Sequence, residues 1–353
     1  MIEAIAAAIE NQNYPLAKSL LQKLKTGGDS NPWLLFYEAK LNEVQKQTGL
    51  ARQQYSQLLQ ESSNSKILVA ARQGLTRIIF QETQIKQKNR EQALSIAQQE
   101  EDYHQLGVLV LNVVSNSEKP ALSKLFAEIM GIDPYTARLQ LPSRAPKLYK
   151  VGSIAQLRVY ARELETAGIP CFCTSLASIN NIGVYEVEQC ISVNNELKII
   201  YEKEPGVRKE LTFDWREIHQ GVEGIIPLFE ERIEFNHRGK EQRKTKTLDY
   251  AHLCDLHLTR HNSIIRLCDQ TYKFQLLEET TARENWTKLI TNLTKQKREL
   301  ALWSEFTPFA ESVRDFQTGL AGIEPRSSLL RREDSYWDTA YQLYSALIFL
   351  QKL

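Results

Sequence analysis

Apolar positions in the first hundred residues recur at helical spacing, and then the whole pattern repeats. Ala17, Leu21 and Leu24 share one helical face, and Ala51, Tyr55 and Leu58 restate it 34 residues later. Asn31-Pro32-Trp33 marks the start of a further helix, since proline is favoured in a first turn. A third helix pair is predicted at 66–79 and 89–99, with Gly74 and Ala93 at its small positions. Small residues recur where two helices approach closely, and Leu and Tyr fill the groove between successive pairs.

After Leu106 the pattern changes. GVLVLNVV at 107–114 is a continuous apolar run, as in a buried strand. Helices are predicted at 116–130, stopped by Gly131, then at 134–139 and 153–167, with strands at 147–151 and 170–175. That order, β-α-α-β-α-β, suits a small sheet covered on one face by helices. From 184 to 275 short strands dominate, at 185–193, 196–203, 209–215, 232–237, 247–256, 263–267 and 272–276. A helix at 281–293 closes that set. Residues 301–334, with Trp303, Phe306, Pro308 and Phe309, read as a mostly irregular tether. Ser335 and Asp338 then open a helix over 336–350 that is apolar on most of its surface.

The expected fold class is therefore multidomain α+β. A helical repeat array occupies 1–103, a small αβ module 104–178, a β-rich module with its closing helix 179–300, and the tether with the aromatic helix 301–353.

The 34-residue period, with small residues at Ala17, Ala39, Ala51 and Gly74, resembles the tetratricopeptide-repeat family over about 1–103. The family's usual Gly-Asp before the second helix is replaced by Gln12-Asn13 and Gln47-Thr48. The middle stretch resembles the C-terminal domain of the bacterial ribosomal stalk protein through Lys119, Lys124, Gly131, Ala137, Gly152, Leu164, Ala167 and Gly168. Ala127 stands where that family has an arginine on its factor-binding face, so the resemblance implies an interaction module and no ribosomal role. The strand-rich region followed by a helix resembles a pleckstrin-homology-like barrel in topology alone. Taken whole, with FDW at 213–215, TLDY at 247–250, CDLHL at 254–258, RLCDQ at 266–270 and YWD at 336–338, the chain is similar to cyanobacterial tetratricopeptide-repeat proteins. That resemblance implies an architecture and no activity.

Composition narrows the classes. With 42% hydrophobic residues, 25% charged residues and a net charge of +1, the chain is neither disordered nor a nucleic-acid coat. Five cysteines are too few and odd in number for a secreted disulfide framework. Glu3 and Glu10 fall where a signal peptide would be apolar, and no apolar run reaches the ~20 residues of a membrane span, so the cytoplasm is expected.

Three constellations bear on chemistry. His252, Cys254, His257 and His261, near Asp255 and Cys268, suggest metal ligands, but strand alternation splits them between faces and no known ligand spacing is completed. Neither metal nor cofactor is expected. Arg238, Lys240, Arg243, Lys244 and Lys246 form a basic loop that could meet an anion. No stacking aromatics interleave with it, so nucleic acid is not the expected partner. No nucleophile, base and oxyanion donor assemble, so no enzyme is expected. The expected function is a protein-interaction scaffold or adaptor. Its candidate partner-binding residues are Trp33, Tyr37 and Tyr55 in the array and Trp337, Tyr341 and Tyr344 in the last helix. The alternative is a binder of nucleic acid or another anionic ligand through 238–246. The last helix is expected to dock on its own chain, with oligomerisation through it as the other outcome.

Overall fold

A computed structural model describes residues 2–26, 31–193, 196–204, 206–235, 240–274, 281–296, 300–329 and 335–351. The chain forms two compact units, Met1–Ser95 and Ile96–Leu353.

The first unit is helical throughout: α1 (Ile2–Glu10), α2 (Tyr14–Thr26), α3 (Pro32–Val44), α4 (Thr48–Glu61) and α5 (Ser65–Ala97), the last running on past its end. Helices α1 with α2, and α3 with α4, form antiparallel pairs. Asn31 caps α3 by accepting from the Trp33 backbone N–H at 3.0 Å, with Pro32 in the first turn. The repeat of the sequence is a repeat of buried positions. Ala17 and Leu21 serve a first core with Ile5, Ile9, Leu34 and Leu41, while Ala51 and Tyr55 serve a second with Phe36, Leu58, Ile67 and Ile78. Gly74 lets α5 approach: a Cβ there would sit 2.5 Å from the Tyr55 ring.

The third helix pair does not form. Residues 66–99 were expected to turn back near 80–88, yet α5 is one helix of 33 residues. Phe80 to Lys88 holds neither Gly nor Pro and is rich in Gln, Glu and Lys, so nothing stops the helix. From Thr83 to Gln92 every residue except Arg90 is exposed.

The second unit begins with β1 (Leu106–Leu111), α6 (Lys119–Met130), α7 (Pro134–Gln140), β2 (Lys147–Ser153), α8 (Ile154–Thr166) and β3 (Cys171–Ser175). This is the predicted order, and the three strands pair antiparallel as β2-β1-β3. Gly131 ends α6 in the left-handed conformation, φ 67°, that favours glycine.

Next come α9 (Leu176–Asn180), β4 (Gly183–Val193), β5 (Glu196–Glu204), β6 (Val207–Asp214), β7 (Gln220–Phe235), β8 (Glu241–Leu258), β9 (Ser263–Cys268) and α10 (Ala282–Gln296). The chain continues through β10 (Ala301–Trp303), α11 (Phe306–Val313), a 3₁₀ segment Arg314–Leu320 and α12 (Tyr336–Leu350). Seven strands form a mixed sheet in the order β10-β7-β8-β9-β4-β5-β6. It departs from the barrel expectation. Strands β4 and β9 run parallel, as do β7 and β10, and the order runs open from β10 to β6. Parallel neighbours need a long crossover, and β5 to β8 supply it between β4 and β9.

The strands expected at 232–237 and 247–256 are parts of one hairpin whose arms have 16 and 18 residues. Gly221, Gly224 and Pro227 hide the first half of β7 from a propensity reading. At Gly224 the reason is close approach, because a Cβ would lie 2.5 Å from the Tyr341 ring. No strand is present at 272–274, the described part of the run expected at 272–276. The tether expectation is also corrected. Phe306, Phe309, Ala310 and Val313 recur at helical spacing and are fully buried along α11.

Helix α12 is the centre of this unit. Every residue from Asp338 to Phe349 except Thr339 is buried. Its core draws Val108 and Leu148 from the small sheet, Val222, Ile226 and Leu253 from the mixed sheet, and Phe306 and Phe309 from α11. A second core on the other face of the mixed sheet packs Leu197, Phe213, Leu256 and Leu267 against Trp286 and Leu293 of α10.

Polar groups tie α12 to the sheet. The Arg266 guanidinium holds Asp255 on the neighbouring strand through two bonds of 2.9 and 2.7 Å, with both side chains fully buried. It also donates to the Pro325 carbonyl at 2.8 Å and lies 5.0 Å over the Tyr341 ring. The Tyr341 hydroxyl donates to the Val222 carbonyl at 3.2 Å. His257 meets Ser345 through Nε2 at 3.0 Å, while its buried Nδ1 has no hydrogen-bond partner. Gln220 donates to the Ile348 carbonyl at 2.7 Å.

Candidate protein-binding surface

Helix α5 buries one apolar face and leaves separate apolar side chains exposed on the other, with exposed Gln73 and Thr76 between Val69 and Phe80. Ile67, Ala71 and Ile78 point into the second core of the helical unit. Val69 and Phe80 lie eleven residues apart, three turns along the opposite face, and are 54% and 63% exposed. Ile79 beside them is also exposed. A surface helix of a monomer hides one stripe and solvates the other. This one also leaves Val69, Ile79 and Phe80 in water.

Helix α3 adds two aromatic side chains. Trp33 and Tyr37 are half-buried and stacked at 6.0 Å, and Phe36 meets Trp33 edge-on at 5.6 Å. Burial and the nearby Glu10 carboxylate raise the Tyr37 phenol, which stays protonated and available as a donor. The helices beneath are locked by charge. Glu43 accepts from Arg77 at 2.8 and 3.0 Å and from the Tyr55 hydroxyl at 2.7 Å. Burial first, and then Glu43, hold the Tyr55 phenol far above its ordinary range.

The predicted partner-binding residues fall into two groups. Trp33 and Tyr37 come together at the surface of α3. Tyr55 is a fully buried core residue that shapes the α5 approach and offers nothing to a partner. Tyr341 and Tyr344 are likewise buried, and Trp337 packs half-buried against Phe306 at 5.8 Å. The apolar faces of two sheets cover α12, so its aromatic area is consumed within its own unit.

The basic loop is mostly strand. Arg238 lies outside the described residues, and Lys240 is exposed just before β8. Arg243 and Lys244 sit in β8 opposite Ile233 and Arg232, and their side chains are outside the described set. Lys246 lies opposite Glu230 and pairs with Glu234 at 2.5 Å. Across the hairpin Glu230 lies opposite Lys246 and Arg232 opposite Lys244, so only part of the basic run faces acidic residues.

The histidines diverge. His252 pairs with Asp269 at 2.9 Å, His257 with Ser345, and His261 with Glu217 at 2.8 Å. Among the described residues no three His, Cys, Asp or Glu converge on a metal position. All five cysteines are free. No described helix is long and apolar enough to cross a membrane.

No known protein family matches the chain, and neither a curated protein nor a solved structure matches it. Val69, Ile79 and Phe80 escaped the sequence reading, although the signal was present. Between 67 and 80 lie Ile67, Leu68, Val69, Leu75, Ile78, Ile79 and Phe80, too many apolar residues for one stripe.

Proposed function

We propose that this chain is a non-enzymatic adaptor of the tetratricopeptide type whose helical unit holds a protein partner. The exposed Val69, Ile79 and Phe80 of α5 carry this reading. An amphipathic helix or apolar peptide segment suits such a face, anchored by residues at helical spacing. The half-buried Trp33 and Tyr37 support the same reading, since aromatic side chains give large contact area at low entropic cost.

The test places a photo-crosslinking residue at position 80 in the source cell. A discrete protein adduct is expected, lost when Val69→Asp is added, with helical melting of the variant unchanged. Adducts no different from those at exposed Lys88 would overturn the reading. Binding of an anionic ligand through 238–246 is the weaker alternative, because Lys246 is already paired with Glu234. It predicts affinity falling steeply with salt, whereas an apolar face does not.

A further inference from the structure

Independent of the helical surface, the second unit holds a cavity of about 310 Å³ between β7, β8, α10 and the start of α11. We propose that it binds a small organic cation, a primary ammonium carried on an apolar body, through Glu223 and His252.

The strand register brings the two polar groups together. Glu223 on β7 lies opposite Cys254, and Ile225 lies opposite His252. Glu223 and His252 therefore share one face of the hairpin and stand diagonally across neighbouring strands. Asp269 holds His252 at two points, one on the ring and one on the backbone. One carboxylate oxygen lies 2.9 Å from Nδ1 and the other accepts from the His252 backbone N–H at 3.0 Å. The ring contact with Asp269 is made at Nδ1, which leaves Nε2 as the ring nitrogen without a partner among the described residues.

Glu223 is the anomaly. It is half-buried, yet its side chain makes no hydrogen bond or ion pair with any described residue. Burial raises its pKa, the mark of a carboxylate that lacks a cation. No Lys or Arg lines the cavity, so its only fixed charge is negative. A ligand presenting N–H donors and a positive charge answers both Glu223 and His252. Trp286 gives the apolar body an aromatic wall, and a ring face favours a cation near it. Thr287, Thr291, Ser304 and Thr307 also line the cavity, and one of their hydroxyls suffices for the third N–H. The volume is at the small end of ligand sites, which restricts the ligand to a compact amine.

The experiment compares phenethylamine with phenethyl alcohol on the full chain by ligand-observed NMR. The two differ in the charged donor group and little else. The amine is expected to bind at least about tenfold more tightly than the alcohol, a gap of roughly 1.4 kcal/mol. Glu223→Gln is expected to bring the amine down to the level of the alcohol. Thr287→Phe, at an exposed position of α10, keeps the fold and is expected to abolish both by filling the mouth. Equal binding of amine and alcohol, an unchanged amine affinity in Glu223→Gln, or no amine binding at millimolar concentration would each overturn the proposal.

Discussion

Each unit buries one tyrosine whose ring occupies the space of a missing glycine Cβ. In the helical unit Tyr55 lies on Gly74, and in the second unit Tyr341 lies on Gly224, each with a would-be Cβ 2.5 Å away. Both rings are essentially unexposed, and both hydroxyls donate inward. The difference is distance along the chain. Tyr55 reaches a carboxylate 12 residues away, whereas Tyr341 reaches a carbonyl 119 residues away. The same packing device is therefore local in one unit and closes a large loop in the other. Local closure lets a repeat form from its neighbours, while distant closure makes one helix the condition for a whole sheet.

The comparison breaks most visibly at the tyrosines. Tyr341→Ala and Tyr55→Ala should each cost about 3–5 kcal/mol, as large aromatic truncations in cores do. In urea the first should shift only the transition of the second unit and the second only that of the helices. Simultaneous shifts of both transitions would mean the units do not fold separately.

A smaller effect comes from pH. Burial depresses the His257 imidazole to about 4, against an ordinary 6.5. Between those values the unfolded chain binds the extra proton and the folded one does not. Stability is therefore full above about pH 6.5 and falls as pH drops toward 4, by about 3 kcal/mol from this residue. The helical unit contains no histidine, so its melting should lack that dependence. His257→Gln should flatten the profile of the second unit, and an unaltered profile would remove His257 as its cause.

The glycines give the finest contrast. Gly224→Ala forces a methyl into the Tyr341 ring and should cost about 1–3 kcal/mol. Gly74→Ala meets the same clash, offset by roughly 1 kcal/mol of helix propensity, and should cost less. Thermal melts of the two variants rank them, and a larger loss at Gly74 would contradict the argument.

Legibility in the sequence followed the same division. Gly74, Ala51 and Tyr55 were readable because their partners lie within one repeat. The β-α-α-β-α-β order was readable because each element ends on a local signal, such as Gly131. Gly224 looked like a strand breaker because its reason, Tyr341, is more than a hundred residues away. Phe306 and Phe309 read as tether in the sequence because the 3.6-residue period of so short a helix shows in four residues alone. In the candidate surface Trp33 and Tyr37 were legible as aromatic residues opening a helix. Val69 and Phe80 were not, because an apolar face reads as core until the structure shows which side is covered. The basic run looked like a loop because the strand that faces it begins at residues that resemble breakers.

The position of α12 also sets a timetable for synthesis. Strand β9 ends at Cys268 and α12 starts at Tyr336, so six of the seven strands are made 68 residues before the helix that covers them. At about 5–20 residues per second, the ribosome leaves that apolar face waiting for several seconds. The helical unit, made first from neighbouring segments, has no such interval. Chaperone demand during translation should therefore fall on nascent chains that stop between β9 and α12.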